Sequence, residues 1–126
     1  MSSNRVLLIE DNEQNMELVS YLLEENGMDV RIARDVDEFQ VVIREPPPDL
    51  ILLDMHLPGK DGLTLLKELR AEPGFTSIPV VALTAHAMRG DKERFLEAGC
   101  NGYISKPINV KTFIDEIRVF LTEEKS

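Results

Sequence analysis

Short, continuous runs of apolar residues alternate along the chain with longer segments in which apolar residues recur at helical spacing. The strongest runs are Val6–Ile9, Leu50–Leu53 and Pro79–Leu83, whereas Tyr103–Ile104 is weaker and Asp29–Ile32 is poorer still. Continuous apolarity is typical of strands that are covered on both faces, as in a parallel sheet. The pattern therefore predicts five strands.

Helices are predicted between and after these runs, because apolar residues three and four positions apart form stripes there. The clear stripes are Leu18, Val19, Leu22 and Leu23; Val36, Phe39, Val42 and Ile43; Leu63, Leu66, Leu69 and Arg70; and Val110, Phe113, Ile114, Ile117, Phe120 and Leu121. Gly27 supplies a stop after the first stripe. Asp35, paired with Glu38, is the predicted N-cap of the second stripe, and Asn109 is the predicted N-cap of the last.

The segment Met88–Ala98 predicts a further helix, which is less firmly anchored because Asp91 and Lys92 interrupt its apolar stripe. Strands that alternate with helices favour an α/β fold with a doubly wound, five-stranded parallel sheet. In such sheets, ligands bind beyond the carboxyl ends of the strands. No repeat or linker divides residues 1–126, so we expect one domain without an output domain.

The charged residues are unevenly distributed. Residues 1–57 contain 4 Lys/Arg and 13 Asp/Glu, whereas residues 58–126 contain 10 of each, so the whole net charge of −9 lies in the first half. An acidic surface repels phosphate backbones, which argues against nucleic-acid binding. It suits a small hard cation or a basic partner.

The chain has one cysteine, Cys100, so it cannot form an internal disulfide. No apolar stretch approaches the roughly 18 residues that a membrane span needs, and the amino-terminal residues do not have the shape of a signal peptide. We therefore expect a cytoplasmic protein without membrane association, in which Cys100 is a small packed residue.

Candidate functional residues stand at the predicted carboxyl ends of four strands, all of them polar except Ala85, which offers its backbone N–H. They are Glu10 and Asp11, Asp54, Thr84 and Ala85, and Lys106. Each of them alone has an ordinary explanation, such as capping the next helix. Together they would place three carboxylates at one edge of the sheet, where their mutual repulsion is costly unless a divalent cation offsets it.

Because every side-chain ligand on offer is an oxygen, the expected cation is Mg²⁺. His56 and His86 have neither cysteine partners nor the spacing of zinc ligands, so the only contribution expected from His56 is its backbone carbonyl. Asp54 follows the most apolar strand and can serve as the nucleophile of a phosphoryl transfer. Glu10 and Asp11 are then left to bind the metal.

Three further groups would contact the oxygens of a phosphoryl group on Asp54. Thr84 can donate its hydroxyl proton, and Ala85 can donate its backbone N–H. Lys106 can place a point charge on a third oxygen. The set as a whole predicts the formation of an aspartyl phosphate.

At these residues the sequence resembles the CheY-like receiver family of response regulators. The resemblance covers essentially the whole chain and is carried by Val6–Asn12, Asp49–Pro58 with Gly62, Pro79–Ala85 and Gly102–Pro107. One stretch alone is a weak match, but all four in order and at this spacing are specific. One departure is Glu10, where many members carry Asp; its longer side chain can still reach a metal through water.

The resemblance implies a flavodoxin-like (βα)5 fold with strand order 2-1-3-4-5. It implies that Asp54 is the phosphoacceptor, that Thr84 and Tyr103 form the switch pair, and that Lys106 contacts the phosphate. It also implies a cis peptide bond between Lys106 and Pro107.

Within the family, the runs Glu10–Met16 and Thr84–Asp91 resemble the DivK-type single-domain regulators. This likeness implies a signalling module of a two-component or phosphorelay system, and not an enzyme. The phosphoryl donor would be a phosphohistidine on a histidine kinase or a histidine phosphotransfer protein. The output would pass to a downstream protein effector through a changed surface around the fourth helix.

Three other functions remain open from the residues themselves. A small phosphatase or phosphotransferase could use an aspartyl phosphate, but such enzymes commonly place a second acid two residues after the nucleophile, where this chain has His56. An inert receiver-like adaptor would bind its partner without phosphorylation. A flavodoxin-type flavin carrier lacks support, because no Ser/Thr/Gly-rich loop follows the first strand.

Overall fold

Ten elements alternate between strand and helix in the computed structural model, which describes residues 4–57, 59, 61–85 and 91–122. The strands are β1 (Arg5–Ile9), β2 (Asp29–Ala33), β3 (Leu50–Asp54), β4 (Val80–Thr84) and β5 (Gly102–Ser105). The helices are α1 (Glu13–Glu25), α2 (Val36–Val42), α3 (Gly62–Ala71), α4 (Asp91–Ala98) and α5 (Phe113–Thr122). Among these helices, none is long and apolar enough to cross a membrane.

The five strands form one parallel sheet in the order β2-β1-β3-β4-β5. All five predicted strands are confirmed, and so is the strand order that the family resemblance implied. The fourth strand begins at Val80 instead of Pro79, since proline has no backbone N–H to donate to a neighbouring strand. The chain reverses its winding direction between β1 and β3, which is where ligands bind in such sheets.

The sheet separates two apolar cores. Successive strand residues point to opposite faces, so that Leu7 and Ile9 lie in one core while Val6 and Leu8 lie in the other. The first core contains side chains of α2, α3 and α4, and the second contains side chains of α1 and α5. Both faces of the sheet are thus covered, as the continuous apolar runs predicted.

Two of the predicted helix ends are confirmed. Asp35 is the N-cap of α2, and its carboxylate accepts a hydrogen bond from the Glu38 N–H at 2.9 Å. Gly27 follows α1 with a φ of 81°, a left-handed conformation that glycine adopts at little cost. The predicted start of α4 at Met88 lies outside the described residues; from Asp91 to Ala98 the helix is present.

The last helix starts later than its apolar stripe predicted. Asn109 caps a tight turn: its side chain accepts a hydrogen bond from the Lys111 N–H, and its carbonyl accepts one from Phe113. The regular helix begins only at Phe113. Val110 is therefore 52% exposed and does not belong to the buried stripe.

Gly62, the first residue of α3, lets that helix approach the backbone that follows β3. A Cβ atom at this position would lie 2.6 Å from the Cα and 2.9 Å from the carbonyl oxygen of Met55. Backbone atoms cannot swing away as a flexible side chain can. Gly62 therefore fixes the distance between α3 and the segment just after Asp54.

We predict that Gly62→Ala lowers the free energy of unfolding by about 1–3 kcal/mol, because overpacking of this kind forces the backbone to shift. Urea unfolding followed by circular dichroism measures the change. Thr64→Ala, at an exposed position of the same helix, is the control and should stay within about 0.5 kcal/mol of the wild type. Equal stability of the two variants would show that the contact with Met55 is not tight.

Cys100 is buried just after α4. Burial raises the pKa of its thiol to about 11 from an ordinary value of 9.0, although the nearby Arg70 guanidinium partly opposes the rise. The folded protein therefore holds the thiol proton to a higher pH than the unfolded chain does. The stability that this provides is complete below pH 9.0 and is lost as the pH rises toward about 11.

We predict that the free energy of unfolding of the wild type falls by about 2 kcal/mol more than that of Cys100→Ala between about pH 8 and about pH 10.5. Urea unfolding across this range measures both proteins. Lysine and tyrosine titrations contribute equally to the two curves and cancel in the difference. Parallel curves would contradict the burial of the thiol.

Candidate functional site

The predicted site residues lie at the carboxyl edge of the sheet. Glu10 follows β1, Asp54 ends β3 and Thr84 ends β4, while Lys106 follows β5. Parallel pairing brings these strand ends side by side: Asp54 pairs with Leu83, and Thr84 pairs with Ser105. Residues far apart in sequence are thereby brought into one cluster, as the strand pattern predicted.

Three carboxylates meet at the centre of this edge. One oxygen each from Glu10, Asp11 and Asp54 lies within 4.8 Å of the other two. Glu10 is fully buried and Asp54 is 2% exposed, whereas Asp11 faces solvent. The cluster thus has a closed, buried side and an open side through which a ligand can approach.

Lys106 lies between the two buried acids. Its Nζ is 3.2 Å from Glu10 Oε1, 3.4 Å from Glu10 Oε2 and 3.3 Å from Asp54 Oδ1. The side chain of Lys106 is only 14% exposed, so these charges interact with little screening by water. One ammonium group therefore partly offsets two buried carboxylates.

The environment of Glu10 shows that Lys106 does not fully offset the negative charge of the cluster. Burial, and then the negative charge of Asp54, raise the pKa of the Glu10 carboxyl, and Lys106 opposes both effects. The Asn12 N–H donates a hydrogen bond to Oε2 at 3.1 Å. Lys106 is close to Oε1, but its direction does not suit a hydrogen bond, so Oε1 is buried without one among the described residues.

A hard divalent cation fits this arrangement. All the side-chain ligands are carboxylate oxygens, which Mg²⁺ prefers. A cation would satisfy the orphaned Glu10 oxygen and reduce the repulsion between Glu10 and Asp54. The residues that would hold it are Glu10, Asp11 and Asp54, with the predicted backbone carbonyl of His56.

Asp54 is oriented by the backbone of the segment that follows it. The His56 N–H donates a hydrogen bond to Asp54 Oδ1 at 2.9 Å, and Lys106 Nζ approaches the same oxygen. The Met55 N–H donates to the carbonyl of Leu83 at 3.0 Å. The carboxylate is therefore fixed by β3, β4 and the turn after β3 together.

The His56 side chain has a contact that the sequence analysis missed. Its Nε2 lies 3.2 Å from Oγ1 of Thr84, and Thr84 is fully buried. Only the backbone carbonyl of His56 was expected to matter. The predicted strand order places His56, two residues past Asp54, beside the strand that ends at Thr84, but it does not show which way the ring turns.

The remaining predicted residues lie at or near this edge. Ala85 is exposed directly after β4. Tyr103 is half-buried in β5 and packs against the core that contains α4. The expected cis peptide bond between Lys106 and Pro107 is confirmed, and the Lys106 N–H donates to the Thr84 carbonyl at 2.8 Å.

The chain thus has a doubly wound parallel sheet with an acidic cluster at its carboxyl edge, and comparison with known proteins identifies the family. Residues 6–118 match the response regulator receiver domain. The chain belongs to the response regulator receiver domain family.

Named relatives agree with this assignment. The chain is 45% identical over 116 residues to the polar-differentiation response regulator DivK of Brucella anthropi, covering 92% of this chain and 94% of that protein. A CheY-like receiver domain protein from Methanospirillum hungatei superposes with a TM-score of 0.88 at 27% identity, with 98% of each chain covered. The BeF3-activated N-terminal receiver domain of RstA from Klebsiella pneumoniae superposes with a TM-score of 0.84 at 34% identity, covering 94% of this chain and 98% of that one.

We predict that Mg²⁺ raises the thermal unfolding temperature and that EDTA reverses the effect. At ten times its dissociation constant, a ligand of the folded state adds about 1.4 kcal/mol of stability. Asp11→Asn should remove most of this gain without disturbing the core, because Asp11 is exposed. Asp61→Asn, an exposed acid outside the cluster, is the control, and an Asp11→Asn response equal to that of the control would contradict the site.

Proposed function

We propose that this protein is a single-domain response regulator that accepts a phosphoryl group from a phosphohistidine onto Asp54, with Mg²⁺, in the cytoplasm. One observation carries the proposal: Lys106 Nζ lies 3.3 Å from Asp54 Oδ1, inside a cluster of three carboxylates at the carboxyl edge of the sheet. An anionic nucleophile, a fixed cation and a set of oxygen ligands are what aspartyl phosphorylation requires.

In the proposed reaction, a carboxylate oxygen of Asp54 attacks the phosphorus atom of the donor. A phosphorus–oxygen bond forms as the phosphorus–nitrogen bond breaks, and the donor imidazole leaves with the electron pair. The Lys106 ammonium stabilises negative charge on the phosphoryl oxygens. Mg²⁺, when bound by Glu10, Asp11, Asp54 and the His56 carbonyl, supplies further charge neutralisation on those oxygens.

The phosphorylated state would recruit groups from β4. The Thr84 hydroxyl and the Ala85 N–H donate hydrogen bonds to phosphoryl oxygens. Thr84 contacts the His56 ring in this structure, so its hydroxyl has to exchange that contact for the phosphoryl group. Tyr103, which packs against the α4 core, responds to the shift, and phosphorylation selects one of two conformations.

The partners in this proposal are proteins. A histidine kinase or a histidine phosphotransfer protein supplies the phosphoryl group, and a downstream effector binds the altered surface around α4. The proposal treats residues 1–126 as one receiver domain. The relatives that support this include DivK, of which the chain covers 94%.

Membership of a signalling family favours this function over a small phosphatase. The residue two positions after Asp54 is His56, and its ring is turned toward Thr84. It therefore does not supply the second carboxylic acid that such enzymes use to protonate a leaving group.

The deciding experiment is incubation with acetyl phosphate and Mg²⁺ followed by intact mass spectrometry. We expect one phosphate adduct that disappears in EDTA and in Asp54→Asn, because both remove groups that the transfer needs. Asp61→Asn, a nearby exposed acid, should still form the adduct. Absence of an adduct, with no spectral change on adding beryllofluoride, would instead support an inert docking module.

A further inference from the structure

Arg70 joins the end of α3 to the end of α4. It lies in the last turn of α3. Its guanidinium donates hydrogen bonds to five neutral oxygens. They are the carbonyls of Phe75 (3.0 Å), Thr76 (3.4 Å), Ile78 (2.7 Å) and Gly99 (2.7 Å) and the side-chain oxygen of Asn101 (2.9 Å). One side chain thus binds both the loop before β4 and the turn after α4.

Asn101 extends this connection to the sheet. The oxygen that accepts from Arg70 also accepts a hydrogen bond from the Val80 N–H at 2.9 Å. The Asn101 N–H donates in turn to the Val80 carbonyl at 2.7 Å. The turn after α4 is therefore bonded to the first residue of β4 as well as to α3.

The end of α4 is closed tightly beneath Arg70. The Gly99 N–H donates to the Leu96 carbonyl at 3.1 Å, and the Cys100 N–H donates to the Phe95 carbonyl at 3.0 Å. Gly99 has a φ of 119°, and a Cβ atom there would lie 3.3 Å from Arg70 Nε. The helix end therefore has little room to move relative to α3.

The middle of α4 contributes few buried side chains to the core. Of its side chains from Glu93 to Glu97, only Phe95 is buried, at 6% exposure. The helix begins at Asp91, which follows Thr84, the last residue of β4, in the chain. In chain order, Thr84 precedes the start of α4, whereas the hydrogen bonds of Arg70 lie at the end of that helix.

We propose that Arg70 is a fixed pivot for α4, so that phosphorylation of Asp54 rotates the helix about Gly99 while the cluster of Arg70, Gly99 and Asn101 stays in place. This inference rests on the proposed function, since it describes how α4 responds to the aspartyl phosphate. Arginine suits the role because its planar group presents five donors in a rigid fork. A lysine ammonium has three donors on one atom and cannot span acceptors on both sides of the contact.

The first test uses the unmodified protein and the phosphoryl analogue beryllofluoride with Mg²⁺. Amide hydrogen exchange by NMR reports on local opening of individual residues. We expect the exchange rates of Gly99, Cys100 and Asn101 to change less than about twofold on adding the analogue, whereas those of Glu93 and Arg94 change by about fivefold or more. A change at Gly99–Asn101 as large as that at Glu93 and Arg94 would overturn the pivot, because α4 would then move as one body.

The second test removes the planar guanidinium group of Arg70 but keeps the positive charge at this position. In Arg70→Lys we expect exchange at Gly99, Cys100 and Asn101 to become about fivefold faster or more, even without the analogue, and beryllofluoride to accelerate it further. Reaction of the Cys100 thiol with a disulfide reagent should accelerate in parallel. Lys67→Met, at an exposed position one turn earlier in α3, is the control and should behave as the wild type does.

The outcomes separate this inference from the function on which it rests. If beryllofluoride causes no shift in the amides around Asp54, the proposed function is wrong and the pivot has no signalling role. If the analogue binds but Arg70→Lys leaves protection at Gly99–Asn101 unchanged, only the pivot is wrong. Should Arg70→Lys fail to fold, the comparison within the wild type still decides.

Discussion

Glu10 and Asp54 are buried carboxylates at the edge of the sheet, and the ammonium group of Lys106 contacts both. Removing two negative charges from water costs more free energy than one positive charge restores, so the arrangement is under electrostatic tension. The sheet keeps these groups together. Glu10 follows β1 and Asp54 ends β3, and both of these strands are paired on two sides, whereas Lys106 follows the edge strand β5.

That tension explains why the site suits a cation and a phosphoryl group together. In the proposed function, a divalent ion would add positive charge next to the carboxylates, and Lys106 would contact the added phosphoryl oxygens. Glu10 Oε1 is buried without a hydrogen bond among the described residues, and the ion would give this oxygen a partner.

The sequence predicted most of the fold because the three central strands β1, β3 and β4 are continuous apolar runs covered on both faces. The outer strand β2 has exposed charged residues and gave the poorest signal. The prediction was less accurate where local hydrogen bonds compete with the apolar pattern. Val110 has the right spacing for the stripe of α5, but the turn capped by Asn109 delays the helix to Phe113. Pro79 was counted in the fourth strand although it has no N–H for the ladder.

The site residues could be predicted because strand ends are recognisable and parallel strands share one edge. Contacts made by long side chains were harder to foresee. The His56 ring reaches Thr84 across neighbouring strands, and no sequence spacing encodes that direction. Arg70 was grouped with an apolar stripe from its spacing alone, whereas its guanidinium binds backbone carbonyls that are brought to it only by the complete fold.

The division of the interior into two cores bears on how such proteins diverge. Among the described residues, the core beneath α1 and α5 shares no side chain with the core beneath α2, α3 and α4. Substitutions that are not in contact usually have additive effects on stability. Substitutions beneath α1 and α5 should therefore change stability independently of substitutions around α3 and α4, so the sequence of one core can diverge without altering how the other packs.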